Sequence, residues 1–107
     1  GTSAIVGNSI PIGVGLGLSE KLLNKKNLST IFIGEGATEE GVFFESINFA
    51  IVKELPVLFI CENNLYSVYS SLKDRQPKNR KIYQMIKSLG AKASICDGNN
   101  AFGCSFV

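Results

Sequence analysis

The chain has 107 residues, 45% of them hydrophobic, with a formal net charge of +2, which fits one small domain or part of a larger one. So small a charge makes no case for nucleic acid, and no apolar stretch reaches the roughly 18–20 residues of a membrane span. Histidine is absent, so no Ser-His-Asp or Cys-His nucleophile system can be built from this chain alone.

In chain order, residues 1 to 6 carry neither an initiator methionine nor the basic segment of a signal peptide and already read as structured core. The chain is therefore expected to be an internal piece of something longer. Asn8 and Ser9 can cap a helix with Pro11 in its first turn, running to about Leu23, before Asn24-Lys25-Lys26-Asn27 ends it. Ser29 to Ile33 is a short apolar strand. Thr38 or Gly36 starts a second helix, with Glu39 and Glu40 in its first turn, where negative charge is favoured. Phe43, Ile47, Ala50 and Ile51 recur at helical spacing, and Leu55-Pro56 stops that helix.

Val57 to Cys61 is a second strand. Its apolar run is continuous rather than alternating, which suits a parallel sheet buried on both faces. Leu65 to Asn79 reads as a polar loop, long enough to suggest a functional or mobile segment. Ile82, Met85, Ile86 and Leu89 mark a third helix ending at Gly90. Ala93 to Cys96 is a third strand, closed by Asp97-Gly98-Asn99-Asn100. The sum is α-β-α-β-α-β, an open parallel α/β sheet with flanking helices, incomplete as it stands. There is no internal repeat and no low-complexity tract.

The chemistry concentrates where strands end. Gly34-Glu35-Gly36 follows the first strand, and Asn63-Asn64 follows the next, so both polar sets sit at the carboxyl ends of neighbouring strands, where open sheets bind ligands. A glycine turn opening a helix cradles anions through free backbone N–H groups. A carboxylate in that cradle would repel a bare phosphate, but not if a divalent cation bridges it to a diphosphate. Glu35, the Asn64 amide oxygen, the Tyr66 carbonyl, two diphosphate oxygens and a water would make six hard ligands, as Mg²⁺ prefers. A P-loop is excluded because the turn continues Thr38-Glu39-Glu40-Gly41 rather than Gly-Lys-Ser/Thr. A dinucleotide fingerprint fails because Glu39 stands where a small residue is needed. The bland alternative is a tight strand-to-helix turn with no ligand.

The string Gly34-Glu35-Gly36-Ala37, then Gly41-Val42-Phe43-Phe44-Glu45, then Leu55-Pro56-Val57-Leu58-Phe59-Ile60-Cys61-Glu62-Asn63-Asn64, resembles the thiamin diphosphate motif of 2-oxo-acid dehydrogenases. The resemblance is to the alpha subunit of their decarboxylating component, as in pyruvate, branched-chain 2-oxo-acid and acetoin dehydrogenases. Ile5-Val6-Gly7 and Ile10-Pro11 with the glycine-rich helix look like the same family. The likeness covers roughly residues 1 to 100 and the middle of a longer subunit. It implies a partial thiamin-diphosphate-binding domain over residues 1–107, with thiamin diphosphate and Mg²⁺ as cofactors.

Carried over by position, the resemblance makes Glu35, Asn64 and the Tyr66 carbonyl the magnesium ligands. It sets Gly34, Gly36 and Ala37 against the diphosphate, and Ala4 and Val6 against the aminopyrimidine ring, with Val6 helping to hold the cofactor bent. The family usually has Asp where Glu35 stands, which implies weakened or altered metal binding rather than none. The implied reaction is oxidative decarboxylation of a small 2-oxo acid, with acyl transfer to a lipoyl group on a partner acyltransferase. The implied assembly is an alpha2-beta2 heterotetramer, whose beta subunit supplies the carboxylate that activates the cofactor. The chain alone is then expected to be inactive. Two alternatives are another thiamin enzyme, transketolase-like or a decarboxylase, and a non-catalytic truncated remnant or scaffold.

Other residues carry weaker expectations. Gly13, Gly15 and Gly17 weaken a helix by roughly 1 kcal/mol each relative to alanine, so close backbone approach is expected. The Gly13/Gly17 face is assigned to a subunit interface rather than to packing within the domain. Glu45 faces either solvent or a subunit boundary. Lys73 to Lys81 reads as a solvated basic loop, and Tyr69 and Tyr83 as packing residues. Cys61, Cys96 and Cys104 lack C-x-x-C spacing and are expected to be buried reduced thiols, from which a cytoplasmic location follows.

Overall fold

The computed structural model describes residues 1–105. It contains two compact units, Gly1–Arg75 and the residues from Gln76 onward.

The first unit is built on a β-α-β core. Strand β1 (Ser29–Gly34) pairs in parallel with β2 (Val57–Glu62), in a register that runs from Ser29 opposite Val57 to Gly34 opposite Glu62. Helix α1 (Ser9–Leu22) precedes β1, and α2 (Gly41–Val52) connects the two strands. Ile10 and Val14 of α1, Ile31 and Ile33 of β1, and Phe43, Ile47 and Ala50 of α2 form the buried core. Phe43 meets Phe44 and Phe59 edge-on, with ring centroids 5.5 and 6.3 Å apart. Polar contacts tie the elements together: Ser29 Oγ at the start of β1 donates to the Gly13 carbonyl within α1 at 2.7 Å, and Lys21 Nζ to the Lys53 carbonyl beyond α2 at 2.6 Å.

The glycine-rich helix has a packing reason inside the unit. A Cβ on Gly13 would overlap Ile31 Cγ1, and one on Gly17 would overlap Val57 Cγ2, whereas Gly15 faces open space. Gly13 and Gly17 are one helical turn apart, so the pair lets α1 lie directly on both strands. The assignment of this face to a subunit interface is therefore corrected.

Three further expectations are revised. A single turn of 3₁₀ helix, Glu35–Glu39, intervenes before α2, which begins at Gly41 after an extended Glu40. Thr38 Oγ1 donates to the Glu35 carbonyl at 2.6 Å and stabilises that turn, so Glu39 and Glu40 precede α2 instead of lying in its first turn. The sheet is covered on one face only: Ile31 and Ile33 are buried, while Phe32 between them is 62% exposed. The polar loop is partly ordered as a short antiparallel pair, β3 (Tyr66–Ser67) with β4 (Ser70–Ser71), followed by one turn of helix, α3 (Leu72–Arg75).

The second unit holds α4 (Ile82–Ser88) and α5 (Ala101–Ser105). The helix expected to end at Gly90 is borne out, with Gly90 at φ +100° after it. The third strand is not: residues 93–96 form no strand among the described residues, and Ile95, their one large aliphatic side chain, is 73% exposed. A run this short, with one large aliphatic group, has too little to bury. The described part is thus a small α/β fold with a short parallel sheet and flanking helices.

Candidate functional site

The register that sets Gly34 opposite Glu62 brings the segments after both strands side by side. Between them lies a cleft of about 370 Å³ at the carboxyl ends of the sheet. Its walls include Ala4, Val6, Gly34, Glu35, Gly36, Ala37, Asn64 and Tyr66, together with Phe32, Glu62 and Ser67. Every residue singled out from the sequence for a cofactor or metal thus borders one cavity.

Glu35 is 2% exposed at the start of the 3₁₀ turn, yet its carboxylate is not bare. Arg75 Nη2 donates to Glu35 Oε1 at 2.5 Å, and Arg75 Nη1 donates to Glu39 Oε1. A buried carboxylate needs such a cation, since removing one partner of a buried pair is strongly destabilising. Sequence reasoning missed Arg75, which it placed in a solvated basic loop. Forty residues separate the partners, and no local pattern announces the pairing.

The asparagines are fixed by their own backbone. Asn63 Oδ1 accepts from the Leu65 N–H at 3.1 Å, and Asn64 Oδ1 from the Tyr66 N–H at 2.9 Å. Leu65 sits at φ +69°, the conformation that turns the chain back over the cleft. Gly36 is closely approached: a Cβ there would lie 2.8 Å from Ser67 Oγ, so a larger residue would push that hydroxyl aside. Ala4, Val6 and Tyr66 are exposed at the rim.

Cys61 ends in the same region. Partial desolvation, then the charges of Glu35 and Glu62, push its thiol up from 9.0 to about 11. The expectation of buried thiols is corrected: Cys61 and Cys96 reach the surface and Cys104 is half-buried. Glu45 is exposed to solvent, and Tyr69, at 96% exposure, is not a packing residue. No group of three or more His, Cys, Asp or Glu side chains is arranged to hold a metal ion among the described residues. Two carboxylates, Glu35 and Glu62, border the cleft among neutral oxygens.

An acidic turn and an amide pair thus stand at adjacent strand ends of a small α/β domain with a short parallel sheet, the place where open sheets of this class bind ligands. The chain belongs to the dehydrogenase E1 component family, whose profile matches residues 1–105. It is 39% identical over 98 residues to the pyruvate dehydrogenase E1 component subunit alpha of Rickettsia felis, covering 92% of this chain and 30% of that protein. It is 42% identical over 71 residues to the mitochondrial type II subunit alpha of Ascaris suum, covering 66% of this chain and 18% of that one. The same identity and length relate it to the mitochondrial subunit alpha of Schizosaccharomyces pombe, with 66% and 17% covered. The chain spans about 30% of the Rickettsia relative's length. The resemblance to 2-oxo-acid dehydrogenase alpha subunits is borne out.

Proposed function

We propose that this chain is the magnesium- and diphosphate-holding part of the alpha subunit of a thiamin-diphosphate-dependent 2-oxo-acid dehydrogenase. The observation that carries the reading is the convergence of Glu35, Gly36, Ala37, Asn64 and Tyr66 on one cleft at the ends of two paired strands. The donor set fits the group. Its ligands are all oxygens, as a small hard cation requires. The Asn64 oxygen keeps a second lone pair after accepting the Tyr66 N–H. The absent side chain at Gly36 leaves room for Ser67 Oγ and Arg75 Nη1 to stand against the turn, where a hydroxyl and a guanidinium can both donate to an anion.

In this reading Glu35, Asn64 and the Tyr66 carbonyl hold Mg²⁺. Gly34, Gly36 and Ala37 receive the diphosphate, and Ala4 and Val6 wall the aminopyrimidine ring. Thiamin diphosphate, when bound, supplies the carbanion chemistry needed to cleave a 2-oxo acid. The chain's own residues place that group. Proton handling falls to a beta subunit in an alpha2-beta2 assembly and to parts of the subunit beyond this segment, consistent with the absence of histidine. The acyl group passes to a lipoyl-bearing acyltransferase, in the cytoplasm. Alone, the chain shows no turnover.

Calorimetric titration of thiamin diphosphate into the full-length alpha chain with its beta partner tests the reading. Binding is expected only with Mg²⁺, and Glu35→Asp should tighten it. Metal-independent binding, or none, would overturn the proposal.

A further inference from the structure

Arg75 is held against the glycine turn by several contacts. Nη2 donates to Glu35, Nη1 to Glu39, and Nε to the Ser70 carbonyl at 3.4 Å. Nη1 also lies 3.4 Å from the place a Cβ would take on Gly36, so the guanidinium rests against the anion cradle itself. The Arg75 side chain is 15% exposed and Glu35 2%, so solvent screens the pair weakly.

We infer that Arg75 is a positioning residue that makes metal binding at Glu35 depend on an anion in the same cleft. The inference rests on the reading of Glu35 as a metal ligand. A divalent cation arriving alone meets the guanidinium's like charge at close range on either carboxylate oxygen, and at Oε1 it must also share or displace Nη2. When a diphosphate arrives with the metal, its negative charge offsets both cations, and the N–H fork of Arg75 has a second acceptor. Arg75 thus serves as the resident counter-ion of a buried carboxylate and as a brake on adventitious metal. Its contact with Glu39 gives the guanidinium an anchor when it yields Oε1.

The test is calorimetric titration of MnCl₂ into the full-length alpha chain with its beta partner, and into the Arg75→Gln variant of that assembly, each with and without inorganic pyrophosphate. The substitution is expected to tighten Mn²⁺ binding at least tenfold in the absence of pyrophosphate, which is about 1.4 kcal/mol. It should also shrink the gain that pyrophosphate brings. A purely structural role predicts the opposite sign, because a damaged site binds metal less well. Arg75→Lys keeps the charge and should stay within about threefold of the parent; a tenfold gain there would overturn the charge argument. If circular dichroism shows that Arg75→Gln is unfolded, the Arg75→Gln/Glu39→Gln pair restores the local charge balance and takes the same measurement, with a smaller gain in the same direction expected because only the competition at Oε1 is removed. If the parent binds Mn²⁺ with pyrophosphate but neither charge-removing variant binds Mn²⁺ alone more tightly, the role of Arg75 falls and the site stands. If no chain binds Mn²⁺ even with pyrophosphate, the metal-site reading falls with it.

Discussion

The two units differ in what holds them. In Gly1–Arg75, helices α1 and α2 bury Ile10, Val14, Phe43 and Ile47 against Ile31 and Ile33. Its polar ties reach far along the chain, as between Arg75 and Glu35 or Lys21 and Lys53. From Gln76 onward no described apolar side chain is buried. Between Gln84 and Ser105 the side-chain hydrogen bonds join residues eight or fewer apart, such as Asn100 Oδ1 accepting from the Gly103 N–H and Cys104 Sγ meeting Cys96 Sγ. The first unit thus has a core of its own, and the second has local turns without one. Hydrophobic burial is the main favourable term in folding, so stability should concentrate in the first unit.

Truncation at the core should expose that difference most strongly. Phe43→Ala is expected to cost about 3–5 kcal/mol in urea denaturation, whereas Leu89→Ala, at a partly exposed site, should cost less than about 1 kcal/mol. Equal losses would show that the second unit has a core after all. Adjacent residues of β1 sharpen the contrast within the first unit. Ile31→Ala should cost about 2–5 kcal/mol, and Phe32→Ala less than about 1 kcal/mol despite its larger side chain, because Phe32 stands on the uncovered face.

The glycines of α1 give a smaller test with a change of sign. Gly13→Ala gains roughly 1 kcal/mol of helix propensity, but the new methyl collides with Ile31, so a net loss of about 1–2 kcal/mol is expected. Gly15→Ala meets nothing within 4 Å and should stabilise the helix by up to about 1 kcal/mol. Thermal denaturation of the two variants decides it. If both stabilise, α1 does not lie on the strands as closely as described.

The site was more legible in the sequence than the fold around it, because its grammar is local. A glycine turn and an amide pair placed just after two apolar runs can be located by counting residues, and the parallel pairing then brings them together. What stayed hidden depends on long-range or missing partners. Arg75 looked like one more cation in a basic loop because nothing within several residues points to Glu35. The apolar run Val57–Ile60 implied cover on both faces, but a run of this kind reports only what its neighbours would need to be. Similarly, Ala93–Cys96 has a strand's brevity without a described partner strand to pair with. Gly13 and Gly17 signalled close approach correctly but could not say to what.

Cys61 gives the smallest effect. Its thiol titrates near 11 where an unperturbed one titrates near 9, so the folded chain binds the proton more tightly than the unfolded chain. Between those values the unfolded state holds fewer protons, and unfolding becomes easier as pH rises. The contribution is fully present below about pH 9 and is lost as pH climbs through about 11. Because the side chain is at the surface, the loss should be modest, visible as a lower urea midpoint at pH 10.5 than at pH 8. Cys61→Ser should flatten that part of the profile while leaving the midpoint at pH 8 nearly unchanged. In the native chain, maleimide should label Cys61 at pH 8.5 at least tenfold more slowly than in urea, since the thiolate is the reacting form. Equal rates would mean that the sulfur is better solvated than its place beside the cleft implies, and that the charges of Glu35 and Glu62 act on it weakly.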